Sequence, residues 1–416
     1  MNTSGKISQR SERIYCFDWL RILAFILVVL IHCVQMFAEL YQPIENIGVK
    51  SMNDGAAYSL SFVTQWAMAL FFLLAGASTW QALRRRTAGQ FLRERSWRLL
   101  VPLAIGCVLL MPLQAYFEMG SNQHYSGSLI AFYPFFLGQI LLNGRLDWII
   151  LSIHHLWFLA YLFGFSLIAL PLCLLLRREA GQAWIERLAR ICEQPGGLLL
   201  LTLPLIAVQV ALRAVFPVYC SLTDAINWLL YYLYGYVLFA NPGLRSALRR
   251  HGRIALGTGC AGLLTILLHW HTGELHAWLY TPDYSPACLF FQALNSLTLW
   301  SWLVAALAIG DTYMNKACKF LQYSNKASFH WYIVHFPVVL IIACYLLPLR
   351  LDPLATFFLM ASCSFAITLL LSDLLLLKAH GTRTLLRTML AATFIRHGYD
   401  AEQINTGRLN SRALIS

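Results

Sequence analysis

The sequence predicts an all-α membrane protein, a polytopic bundle of about ten transmembrane helices with both termini cytoplasmic. Three observations carry that prediction. The chain of 416 residues is 59% hydrophobic and only 12% charged, with mean hydropathy +0.61, too little charge to cover a soluble domain of this size. Apolar runs of roughly 17 to 25 residues recur along the whole length, each long enough to cross a bilayer as a helix. In lipid, backbone polar groups must pair within the protein, so such runs mean helices and not open sheet.

The expected spans, in order, are 18–40, 58–80, 98–117, 154–176, 198–216, 226–240, 254–270, 287–309, 328–348 and 354–376. Residues 129–142 ("LIAFYPFFLGQILL") are shorter and broken by Pro134 and Gly138. They read as an interfacial or re-entrant segment of an outer loop. The first span follows a basic stretch as a signal peptide would, but its apolar run is too long and lacks an A-x-A site, so it is expected to stay as an anchor. No repeat, low-complexity linker or second domain interrupts the membrane domain over 1–378; residues 379–416 form a basic cytoplasmic tail, a short helix and a loose end.

Charge supports this order. The net charge is +12, and Lys and Arg sort by connection: three before the first span, six in 81–98, four in 177–197, four in 241–253, three in 310–327 and six in the tail. The intervening connections hold only Lys50, Arg145, Arg213 and Arg350. That alternation is the positive-inside pattern and places both termini in the cytoplasm. The basic balance is therefore topology, and nucleic acid is not an expected partner. The 11 cysteines are scattered singly without a C-x-x-C pair, so neither a disulfide framework nor a metal cluster is expected. The outer-loop run His269, His271, Glu274, His276 lacks the fixed spacing of a zinc motif, and no metal is assigned to it.

Four constellations can carry chemistry. In the first span, "FDWLRILAFILVVLIHCVQMF", Arg21 and His32 are eleven positions apart, which returns to within about 20° of the same face at about 16 Å separation. Asp18 lies one turn before Arg21 and can pair with it. Arg21 can also snorkel and His32 can bond a neighbouring helix, yet intramembrane ionisable residues usually face a cavity or the bundle interior. A buried imidazole there is expected to stay neutral and able to accept a proton. In "FLRERSWRLLVP", Arg95 and Arg98 are one turn apart at the start of the third span, and guanidinium forks suit phosphates; anchoring to anionic lipid is the alternative. In "YSNKASFHWYIVHFP", Ser328, Tyr332 and His335 fall at i, i+4 and i+7, one helical stripe, with His330 off it; interhelical hydrogen bonding is the plainer use of such a stripe. "HHLWFL", residues 154–159, stands at the outer mouth of the fourth span, where an aromatic belt already predicts tryptophan.

At these residues the chain resembles the membrane acyltransferase-3 family, over essentially its whole length. Arg21 and His32 match that family's R-x10-H pair, and "FFLLAG" at 71–76 is similar to its F-F-x-x-S-G stretch, with Ala75 where serine is usual. Arg95 and Arg98 before Pro102 match its basic loop. Ser328, Phe329, Tyr332 and His335 match its S-F-x-x-Y-x-x-H pattern. "FDWLR" and "HLWFL" look most like the branch that succinylates periplasmic glucans. One departure stands out: many relatives carry a glutamate shortly after the W-x-L, and here Ala160, Tyr161, Leu162 and Phe163 follow, which puts the acceptor in question.

The resemblance implies an enzyme of the inner membrane that moves an acetyl or succinyl group from cytoplasmic acyl-CoA to a hydroxyl of an extracytoplasmic glycan. Acyl-CoA would be a co-substrate, with no tightly bound cofactor. Arg21, Arg95, Arg98 and Ser328 would hold the donor. His32 would deprotonate the acceptor or carry the acyl group, and Tyr332 or His335 would donate to the developing oxyanion. A carbohydrate transporter or flippase is the main alternative, since a mid-membrane histidine and the Gly-interrupted aromatics Tyr231, Tyr232, Tyr234 and Gly235 suit a sugar path; inverted repeats, which would favour it, are not evident. A sensor that binds donor without turnover is the third.

Overall fold

The computed structural model describes residues 15–40, 54–121, 127–143, 154–269 and 274–396, and every regular element among them is helical. Helix α1 (Tyr15–Leu40) is followed by α2 (Asp54–Leu83) and by a run of α3 (Ala88–Arg95), a π-helical turn (Ser96–Leu100), α4 (Val101–Leu109) and α5 (Met111–Ser121). Then come α6 (Leu129–Asn143), α7 (Trp157–Ile168), α8 (Leu170–Leu176), α9 (Glu179–Glu193), α10 (Thr202–Leu212) and α11 (Leu222–Ala240). The last five are α12 (Pro242–Leu268), α13 (Glu274–Tyr280), α14 (Pro286–Tyr313), α15 (Lys319–Leu346) and α16 (Pro353–Arg396).

Helix starts follow local chemistry. Thr87 and Gln90 form a capping box at α3, each satisfying a backbone N–H that has no partner inside the helix. Asn241 and Ser285 cap α12 and α14, each with a proline next, where a missing N–H costs nothing.

Among the described residues, seven segments are long and apolar enough to cross a membrane, or eight if α7 and α8, bent by 46° at their junction, count as one. The protein is thus a multi-pass helical membrane protein, with fewer spans by this measure than the ten expected. The difference lies at two places. The expected span 198–216 contains only a short apolar helix, Gly197–Leu212. The expected span 226–240 falls within α11, which is outside the seven and buries Asp224, Asn227, Trp228, Tyr231, Tyr232 and Tyr236 inside the bundle. Polar and tyrosine side chains packed against protein lower its apolarity without exposing it to lipid. α16 runs without a break from Pro353 to Arg396, while its apolar part long enough to span ends at Leu375. Residues 397–416 and the N-terminal 14 lie outside the described residues. Residues 129–142 form α6, which buries Phe132 and Phe136 against Met111 and Leu156.

Two packing arrangements position the site. The start of α1 is pinned beside the start of α15: the Tyr15 N–H donates to Asn315 Oδ1 at 2.9 Å, and Trp19 Nε1 to the Lys316 carbonyl at 3.2 Å. The two helices run side by side in the same direction, with Phe25 against Trp331 at 5.6 Å between ring centroids. In α2 and α11, Gly76 and Gly235 let two backbones touch. A Cβ on Gly76 would collide with the Tyr232 carbonyl, and one on Gly235 with the Leu73 carbonyl.

Charge inside the bundle is paired. Asp311 of α14 accepts from Arg245 Nε at 3.0 Å and from Arg249 Nη1 at 3.1 Å, both on α12. Replacing Asp311 with Ala removes the buried carboxylate that two guanidinium groups share. The expected loss is about 3 kcal/mol, read as a lower midpoint of thermal unfolding in detergent. Arg249→Ala, whose side chain is half exposed, should cost under about 1 kcal/mol.

Candidate active site

α1 and α15 begin at the same end, so depth can be compared residue by residue. His32 is 17 residues beyond Tyr15 and His335 is 16 beyond Lys319, placing both about 25 Å along their helices. They meet there: their ring centroids are 5.4 Å apart. Tyr332 joins them, 5.8 Å from His335. A third imidazole, His155, lies just before α7 and stands 5.2 Å from His335. Phe25 and Phe336 close the cluster, Phe336 lying 4.8 Å from His32 and stacked at 5.3 Å on His155.

Hydrogen bonds set what each ring offers. His335 Nδ1 faces the Tyr332 and Trp331 carbonyls at 2.7 and 3.2 Å. Carbonyls only accept, so Nδ1 carries the proton and Nε2 a lone pair. That Nε2 is buried and has no hydrogen-bond partner among the described residues. His32 Nδ1 lies 2.8 Å from Gln35 Oε1, which again protonates Nδ1 and leaves Nε2 basic.

His155 is committed differently. Its Nε2 donates to the Ile333 carbonyl at 2.9 Å, and its Nδ1 accepts from Gln114 Nε2 at 3.3 Å. The Ile333 carbonyl is available because Pro337, four residues on, has no N–H to offer it. A proline inside α15 thereby leaves open a carbonyl that fixes a histidine 178 positions away in sequence. The Tyr332 hydroxyl donates to the main-chain carbonyl of His155. In this arrangement His335 presents a lone pair and not a proton, and the Tyr332 proton is already engaged.

The cationic residues gather at the other end of the bundle, on the last turns of α2. Arg21 donates to Ser78 Oγ and, at 3.4 Å, to the Leu74 carbonyl, and Asp18 lies 3.4 Å from it. On the adjacent residue, Arg95 donates to Thr79 Oγ1 at 3.1 Å, and Thr79 also meets the Tyr232 hydroxyl at 2.6 Å. Arg95 lies over the Phe91 ring at 5.2 Å. Arg98 is not with them: its side chain is 74% exposed and paired with Glu94 at 3.0 Å. The π-helical turn that begins at Ser96 widens the helix, so positions three apart no longer share a face. Ser328 lies half-buried on α15, two turns before His335 and so between the two ends in depth.

The model of the acyltransferase-3 family, described as an acyltransferase domain, matches residues 14–377, most of the chain. The chain belongs to the acyltransferase-3 family. No curated protein and no solved structure shows significant similarity to it. Within this membrane acyltransferase, the FFLLAG stretch takes a packing role: Phe72 stacks on Trp228 at 5.5 Å, and Gly76 sits on the α11 backbone. Sequence marks His155 only as part of HHLWFL, without a role, and marks neither Gln114 nor Gln35. The available signal was the His154–His155 pair at the mouth of an apolar span, where aromatic-belt residues mask it. Of the outer-loop histidines, His269 Nδ1 donates to the Thr265 carbonyl at 2.8 Å, and His271 lies outside the described residues.

Proposed function

We propose that this acyltransferase moves an acetyl or succinyl group from acyl-CoA, entering at the cytoplasmic face of the inner membrane, to a hydroxyl of a glycan on the opposite side. The observation that carries the proposal is the staging along α1: guanidinium groups at one end of the bundle and, about 16 Å further along, two imidazoles with basic nitrogens. Arg21 and Arg95 suit the phosphates of the donor, and the pantetheine arm would lay its thioester along α1 and α15 past Ser328. One Nε2 takes the acceptor's proton as the oxygen attacks the thioester carbonyl. The C–S bond breaks, and the thiolate leaves as CoA, recovering the proton. Attack by His32 itself on the thioester, followed by transfer, keeps the same balance. Succinylation of a periplasmic glucan is the form of this proposal nearest to the "FDWLR" and "HLWFL" motifs.

The test uses the purified full chain in lipid nanodiscs with radiolabelled acetyl- or succinyl-CoA and neutral oligosaccharides. Label on carbohydrate with one CoA thiol released per acyl group supports the proposal. Sugar flux into sealed vesicles without acyl transfer overturns it in favour of a carrier. Binding of donor with neither outcome favours a sensor.

The arginines make a sharper distinction. Arg95→Gln removes a partly buried cation held at the end of α2 and should raise the KM for acyl-CoA about tenfold or more. Arg98→Gln, on an exposed side chain already paired with Glu94, should change it less than about threefold. Initial rates over a donor series decide; equal effects would remove Arg95 from the donor site.

A further inference from the structure

A cavity of about 380 Å3 lies outside the histidine cluster, bounded by α2, α10, α11, α13 and α14. Its size falls within the roughly 300–1,000 Å3 of small-molecule sites. Its depth follows from the antiparallel pairing of α1 and α2. Arg21 touches Leu74 and Ser78, so eleven residues further along α1, His32 is level with the neighbourhood of Gln65, which lines this cavity.

The wall chemistry is specific. Four primary amides contribute, from Gln65, Gln209, Gln292 and Asn295. Each carries two N–H donors and an acceptor oxygen, part of them spent in the wall itself: Gln209 Oε1 accepts from Arg213, Asn295 Oδ1 accepts from Tyr58, and Gln292 Nε2 donates to the Trp278 carbonyl. Arg213 and Asp224 face each other across the wall as an ion pair. Asp224 is only 7% exposed, and its Oδ2 is buried with no hydrogen-bond partner among the described residues. A buried carboxylate oxygen left so asks for a donor. Trp278 and Tyr219 supply aromatic surface, with Trp278 held at 5.4 Å from Phe291.

Charge narrows the ligand. The Arg213 cation is matched by Asp224 in place, so the cavity has no spare cation for phosphate and a single carboxylate for a metal. Amides, one hydroxyl-seeking carboxylate oxygen and flat aromatic surface suit a neutral ring that carries hydroxyls on its rim and C–H groups on its faces. Tyr219 also ties the cavity to the histidine centre through rings in series. It lies 5.9 Å from Trp157, Trp157 is 6.3 Å from Phe158, and Phe158 is 5.7 Å from Tyr332.

We infer that this cavity is a binding subsite for a neutral sugar unit of the acceptor, separated by the Trp157–Phe158 wall from the unit whose hydroxyl reacts. The inference rests on the carbohydrate reading proposed above. It makes recognition of the glycan remote from the chemistry, so binding energy at one sugar orients another.

The test measures two things on purified full-length protein in nanodiscs: equilibrium binding of fluorescently labelled neutral gluco-, galacto- and manno-oligosaccharides without donor, and steady-state acyl transfer. Trp278→Ala and Gln65→Ala are expected to weaken oligosaccharide binding and raise the acceptor KM at least tenfold. The donor KM and kcat should stay within about twofold, and Trp278→Phe should recover most of the binding. A purely structural role for Trp278 would move donor and acceptor constants together, and that result overturns the inference. So does wild-type protein that binds none of the oligosaccharides, or variants whose acceptor binding and KM are unchanged. If oligosaccharide binding is present and Trp278-dependent while no acyl group is transferred, the subsite stands and the transferase reading falls.

Discussion

Alanine at His32 or at His335 is expected to lower kcat by about a hundred- to ten-thousand-fold, with the double variant no worse than the more damaged single one. The size is that of a general base or acid removed from the transition state, and the non-additivity is that of residues working as one unit. The geometry behind it is symmetrical. Each ring has its Nδ1 proton tied, to Gln35 in one case and to the Tyr332 carbonyl in the other. Each therefore keeps a lone pair on Nε2, and the two ring centroids lie 5.4 Å apart. Gln35→Ala should have a smaller effect, about tenfold, because it frees the ring and loses the tautomer without removing the base. The measurement is kcat at saturating donor, with folded protein quantified by gel filtration. A His335→Ala protein with near-normal kcat would remove that imidazole from the chemistry, whatever His32 does.

The second large effect concerns the backbone contact between α2 and α11. Leucine at Gly76 should prevent accumulation of folded protein, and alanine at Gly76 or Gly235 should cost about 3 kcal/mol or more. The colliding atoms in both cases are backbone carbonyls, of Tyr232 and Leu73, and a carbonyl inside a helix cannot rotate aside. The helices must separate instead, and the stack of Phe72 on Trp228 opens with them. Separation also pulls Tyr232 from Thr79, the residue that receives Arg95. A Gly235→Ala protein that folds should therefore show a raised KM for donor as well as a lower unfolding midpoint. Gly164→Ala is the control, since a Cβ there meets nothing within 4 Å and alanine is the better helix former. If Gly76→Leu unfolds at the wild-type temperature, the close crossing is not what holds these helices.

The features legible in advance share a common property: each is local. Hydropathy over about 20 residues marks a membrane helix wherever it packs. An eleven-residue interval puts Arg21 and His32 on one face of any α-helix, and the i, i+4, i+7 spacing does the same for Ser328, Tyr332 and His335. What escaped depends on departures from the regular helix or on distant partners. Arg95 and Arg98 were grouped by regular helical spacing, and the π-helical turn separates them. The span at 226–240 was counted by its apolar residues, while the burial of its tyrosines and Asp224 removes α11 from the segments that satisfy a membrane test.

By itself, then, the sequence determined that the chain is helical, membrane-embedded and marked by an arginine–histidine axis on its first helix, because periodicity and transfer free energy act over neighbouring residues. Tertiary structure alone decided that His335 comes to His32, that His155 is held by a carbonyl Pro337 leaves open, and that four amides from three helices share one cavity with an ion pair. Those meetings join residues as far apart as His32 and His335, and the energy that selects them resides in packing between helices, which no stretch of the chain contains on its own.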